Sequence, residues 1–155
     1  MKYILSISIM LFMGGLAIGQ TNSSPKKVPV PLAVFDDNVS APLTLKERNY
    51  IIEAYGDYAE QYVFSKPQML KSIKQLLRNR ILIEKKSNFE KRNEATKLSE
   101  VPLFNNYVPE LSRDELFDPR NFNPLKYQLE FYSLETKIYN VDGSDYVILI
   151  KSQHQ

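Results

Sequence analysis

The chain predicts an α+β domain: an N-terminal αα-hairpin packed on a C-terminal antiparallel β-sheet. Three observations carry this. Apolar residues recur at helical spacing in two blocks between Thr44 and Asn79. Alternating and continuous apolar runs fill the last third of the chain. Asp142-Gly143-Ser144 sits between two of those runs as a hairpin turn, where glycine accepts positive φ without steric cost.

The first element begins at Thr44. Thr44-Leu45-Lys46-Glu47 fits a capping box, in which the threonine hydroxyl takes the N–H three residues on and Glu47 reaches back. Ile51, Ile52, Tyr55, Tyr58, Ala59, Tyr62 and Val63 then recur on one face, which predicts a helix of about 20 residues. Gly56 weakens its middle by about 1 kcal/mol relative to alanine. The tyrosine stripe reads as core packing with hydroxyls at the rim; a carbohydrate or peptide platform is the alternative.

Ser65-Lys66-Pro67 predicts a stop and restart, with Ser65 as cap and Pro67 in the first turn. A second helix runs from Pro67 to about Asn79. Leu70, Ile73 and Leu77 mark its apolar face, and Lys71, Lys74 and Arg78 fall on the other. Ile81-Leu82-Ile83 then reads as a short strand as readily as a helix end. Lys85 to Asn93 reads as a loop, and Lys97 to Val101 as a second strand.

Pro102 to Pro124 is proline-rich yet apolar, so an ordered irregular segment is expected. Tyr127, Leu129 and Phe131 alternate with polar neighbours as a strand would. Thr136 to Val141 forms another. Tyr146-Val147-Ile148-Leu149-Ile150 reads as a central strand buried on both faces.

The N-terminus predicts export. Residues 1–19 join Lys2, an apolar run from Ile4 to Met13, and small residues at Ala17 and Gly19, the layout of a signal peptide cut between Gly19 and Gln20. A retained membrane anchor is the competing reading. The stretch is short for a span, which needs about 20 apolar residues. A lipid anchor at the cut would need a cysteine, and the chain has none. Residues 20–35 are polar and proline-punctuated, an extended or disordered arm. Residues 36–155 form the single domain, and the expected location is periplasmic, cell-surface or secreted.

Composition narrows the chemistry. Without cysteine there are no disulfides, thiol reactions or thiolate metal sites. The one histidine, His154, lies beside the terminus, which leaves no histidine for a triad or a zinc site. Asp36-Asp37, Asp114-Glu115 with Asp118, and Asp142 with Asp145 are the local carboxylate clusters. Adjacent aspartates in loops are mostly turn and cap residues. No catalytic residue, cofactor or metal is therefore assigned, and a carboxylate-dependent hydrolase is the remote alternative.

Charge is uneven. From Lys66 to Lys97 there are ten basic and three acidic residues, whereas Leu98 to Gln155 holds five basic and nine acidic. A solvated surface explains this. A contact surface built from Lys71, Lys74, Arg78, Lys85 and Lys86 is the functional alternative, facing an envelope protein or, through the same charges, anionic lipid or polysaccharide. Export argues against nucleic acid. The function expected is that of a non-enzymatic envelope or secreted protein acting through protein–protein contact.

Several strings resemble a family of small exported bacterial proteins. They are Arg78-Asn79-Arg80, Leu98 to Phe104, Phe122-Asn-Pro-Leu-Lys-Tyr127, Phe131-Tyr132-Ser133, Ile138-Tyr139-x-Val141-Asp142 and Ile148-x-Ile150-Lys-Ser-Gln-His-Gln155. The resemblance implies an envelope or secreted setting and brings no activity, ligand or catalytic residue with it.

Overall fold

A computed structural model describes residues 35–88 and 95–153, which belong to one compact unit. The expected signal, the arm before Phe35, much of the loop after Lys85, and His154 lie outside the described residues.

Two helices pack on a four-stranded sheet, the α+β class expected. Helix α1 spans Leu45–Tyr55 and helix α2 spans Pro67–Gln75. Strands β1 (Ile81–Lys85), β2 (Thr96–Lys97), β3 (Lys137–Asn140) and β4 (Tyr146–Ile150) form one sheet in the order β1-β4-β3-β2. β4 is central, and its two partners are antiparallel to it, with Ile83 and Tyr139 both opposite Ile148. The β2–β3 pair is parallel, so the sheet is mostly rather than wholly antiparallel.

The hairpin turn stands where expected. Gly143 has φ 67°, and the Ser144 hydroxyl accepts the Tyr146 N–H at 3.2 Å. The core lies between helices and sheet. Ile51 and Ala54 of α1, Ile73 of α2, and Tyr139, Ile148 and Ile150 of the sheet are buried together. Val147 and Leu149 alternate with these and are also buried, as a central strand requires.

Four expectations need correction. The first helix is eleven residues, not about 20. Gly56 ends it at φ 53° and ψ −136°, which no helix accommodates. The chain continues as a 3₁₀ turn at Gly56–Tyr58 and a π-turn at Glu60–Phe64. The second helical stretch ends about where expected, since α2 continues directly into a π-turn at Leu76–Arg80. Ser65 does not cap α2; its hydroxyl donates to the Gln61 carbonyl, and Lys66 stands at the cap position.

The third correction concerns Lys97 to Val101. Only Thr96–Lys97 is strand, and Leu98–Glu100 is a 3₁₀ turn held by the Asp142 carboxylate on the Ser99 N–H at 2.9 Å. The fourth is the alternating stretch at Tyr127. It forms a single bridge to Leu103, because its chain neighbours are an irregular segment rather than the sheet. Its alternation still fixes burial: Tyr127 and Leu129 are inside, and Gln128 and Glu130 outside.

Candidate functional site

The five proposed contact cations fare differently. Arg78 is turned inward. Its Nε and one terminal nitrogen donate to the two Glu47 oxygens at 2.6 and 2.7 Å. The same guanidinium donates to the carbonyls of Asn38, Ala41 and Pro42. Lys74 is buried, with Nζ 2.8 Å from the Ala41 carbonyl. Lys86 Nζ donates to the Ser144 carbonyl at 2.6 Å, which fastens the hairpin. Lys71 is exposed, 4.4 Å above the Phe35 ring, and Lys85 is exposed at the end of β1. The expected solvated cationic face of α2 therefore loses Lys74 and Arg78 to the fold. After a 3₁₀ turn at Asp37–Ser40, the Ala41 and Pro42 carbonyls lie outside any helix or strand, and long cations supply their donors.

Several of the carboxylates are similarly engaged. Asp36 pairs with the Gln75 amide at 2.8 Å. Asp118 accepts from the Arg120 N–H and the Asn121 amide. Asp114 and Glu53 converge on Lys126 Nζ at 2.6 and 3.2 Å, and Lys126 is 4% exposed. Asn123 donates to the other Glu53 oxygen at 2.8 Å. Burial opposes the Lys126 charge, but the two carboxylates more than offset it and hold the ammonium above its ordinary value. Both acids thus form ion pairs with the one buried ammonium.

Arg113 lies near this pair, yet its guanidinium donates to the Leu98 and Val101 carbonyls. A cleft of about 160 Å³ beside it takes in Ser99, Asp114, Glu115 and Asp142. Among the described residues no three His, Cys, Asp or Glu side chains are placed to hold a metal ion.

A different surface emerges from the aromatic residues. Tyr55, Tyr58 and Tyr62 stay on one side of the chain because the 3₁₀ and π turns after Gly56 preserve helical spacing in outline. Tyr107, from the irregular segment, inserts among them. Its ring centroid lies 5.2 Å from Tyr55, 5.5 Å from Tyr58, 4.9 Å from Tyr62 and 5.6 Å from Phe104. Each such pair contributes about 0.5–1.5 kcal/mol beyond area burial, so the cluster is rigid.

Beside it opens a groove of about 440 Å³. Tyr55, Phe104, Phe131 and Tyr132 supply aromatic surface, Leu125, Tyr127 and Leu129 the buried base, and Asn106 and Gln128 two amides. Tyr132 is 67% exposed at its edge. Burial pushes the Tyr55 phenol up from its ordinary value, with Tyr132 and Tyr107 adding to the shift. It therefore stays a neutral hydroxyl at physiological pH.

The sequence held a signal for this groove in its tyrosine stripe. It held none for Asn106, Gln128 and Tyr132, which irregular backbone brings to the stripe. No family model, curated protein or solved structure matches the chain.

Proposed function

We propose that the chain is an exported, non-enzymatic protein that works by contact with a component of the cell envelope, and that the aromatic groove is its contact surface. One observation carries this reading: a large exposed tyrosine, Tyr132, stands at the mouth of a 440 Å³ groove in which the Tyr55, Phe104 and Tyr127 rings pack against further rings. Ordering that surface has already been done by folding, so a partner meets a preorganised site. Export rests on the layout of residues 1–19 and on the resemblance to small exported bacterial proteins. The inward engagement of Lys74, Arg78 and Lys86 favours the groove over the basic helix face.

Co-sedimentation with isolated envelope fractions tests the reading. Tyr132→Ala is expected to abolish retention, and the double charge reversal Lys71→Glu with Lys85→Glu to leave it intact. The opposite pattern would return the contact to the basic face. Mass spectrometry of the exported protein is expected to find a chain that begins at Gln20; an intact Met1 would refute cleavage.

A further inference from the structure

We infer that the groove takes a neutral oligosaccharide; this rests on the groove being the contact surface. The chemistry of the lining is the first ground. Tyr55, Phe104, Phe131 and Tyr132 offer ring surface, and no lysine, arginine, aspartate or glutamate lines the groove. A phosphorylated or acidic ligand would find no counter-charge there, and desolvating its charge would go unrepaid.

The second ground is the set of unused polar groups. Among the described residues the Asn106 amide makes no hydrogen bond, and the Tyr55 and Tyr132 hydroxyls have no hydrogen-bond partner. Gln128 donates through Nε2 to the Leu103 carbonyl at 3.0 Å, which fixes the amide and leaves Oε1 as an acceptor. An amide offers donors and acceptors together, and a phenol both gives and takes. Adjacent sugar hydroxyls need that mixture. The apolar C–H face of the same sugar ring suits a tyrosine ring.

The third ground is what the backbone withholds. An extended peptide would seek a free strand edge. The segments beside the groove spend their edges on each other. Phe104 N–H donates to the Lys126 carbonyl at 2.7 Å, and Gln128 N–H to the Pro102 carbonyl at 2.9 Å. The strand edges at Phe104 and Gln128 are thus taken, and the side-chain amides of Asn106 and Gln128 are among the groups left to recognise a ligand.

Three of the chain's ten tyrosines line the groove and there is no tryptophan, so a saturable change in tyrosine emission reads ligand binding, with calorimetry as the independent measure. The purified protein is titrated with maltotetraose, cellotetraose and N-acetylchitotetraose. Saturable binding of at least one is expected, indifferent to added salt and weakened at least about tenfold by Tyr132→Ala and by Asn106→Ala. Both residues are exposed, and an unchanged melting temperature verifies that the variants fold. Failure of all three sugars to saturate, binding that both variants leave intact, or preferential binding of a proline-rich decapeptide would each overturn the inference. If the sugars fail while envelope retention still depends on Tyr132, the contact reading stands without the sugar; if that dependence is also lost, both fall.

Discussion

Arg78 and Glu47 hold the entry to the first helix. Thr44 and Glu47 complete the capping box, with the Glu47 N–H on the threonine hydroxyl at 3.2 Å and the Thr44 N–H on the Glu47 carboxylate at 2.8 Å. Arg78 then takes both oxygens of that carboxylate, and both side chains are nearly buried. The Arg78 hydrogen bond holds the Glu47 carboxyl down to about 2, against the opposing effect of burial, and the Thr44 N–H adds to the lowering. A folded value below the ordinary 4.5 means that this stabilisation is complete above pH 4.5. It is lost as pH falls through about 2 and amounts to about 3 kcal/mol. Urea unfolding of the wild type and Glu47→Gln across this range is expected to show the stability gap closing with acid; a constant gap would refute the assignment. Arg78→Ala strands a buried carboxylate and several carbonyls and is expected to cost about 3–5 kcal/mol. Asn79 bonds Asn38 through paired amides at 2.7 and 2.9 Å, and Arg80 donates to the Lys151 carbonyl at 3.0 Å. Three consecutive side chains on one π-turn thus clamp separate segments, which gives Arg78-Asn79-Arg80 an architectural meaning.

Glycine decides where the first helix stops. Gly56 and Gly143 both have positive φ, at 53° and 67°. Alanine at either position meets a positive-φ penalty of at least about 1–2 kcal/mol, and Gly56, at ψ −136°, lies outside the left-handed helical region that other residues can visit. At Gly56 an added Cβ would also stand 3.0 Å from Val108 Cγ2, whereas at Gly143 nothing lies within 4 Å. Overpacking adds about 1–3 kcal/mol at the first site only. Thermal melts are expected to rank Gly56→Ala as the more damaging change; equal losses would mean that Val108 yields freely. Local signals found both helix starts: the Thr44 capping box for the first and Pro67 for the second. Sequence periodicity overran the end of the first helix, because the turns that follow Gly56 keep apolar spacing close to that of an α-helix. The same ambiguity hid the groove, whose stripe was legible while its opposing residues were not.

Across the whole molecule, stability is centred on β4. It pairs on both edges and is buried from Val147 to Ile150. The stretch from Asn105 to Phe117 has one internal backbone bond of note, Leu111 N–H to the Val108 carbonyl at 3.0 Å, and relies on side chains such as Tyr107. Amide exchange is expected to be slowest in β4 and to run through local opening in 105–117. Equal protection in the two would mean that the irregular segment opens only with the whole domain.

By itself the amino-acid sequence determined the α+β class, the capping box, the hairpin glycine and the central strand. Each depends on residues close together in the chain, or on a burial pattern repeated within one element. Tertiary structure alone decided the parallel β2–β3 pair, the inward turn of Lys74 and Arg78, the Lys126 ion pair and the aromatic groove. A lysine on a helix face looks solvated until a distant loop presents an unpaired carbonyl to it. A tyrosine stripe looks like core until another segment leaves one side of it open. Both outcomes turn on where irregular backbone comes to rest, and the energies that settle this arise between residues far apart in sequence.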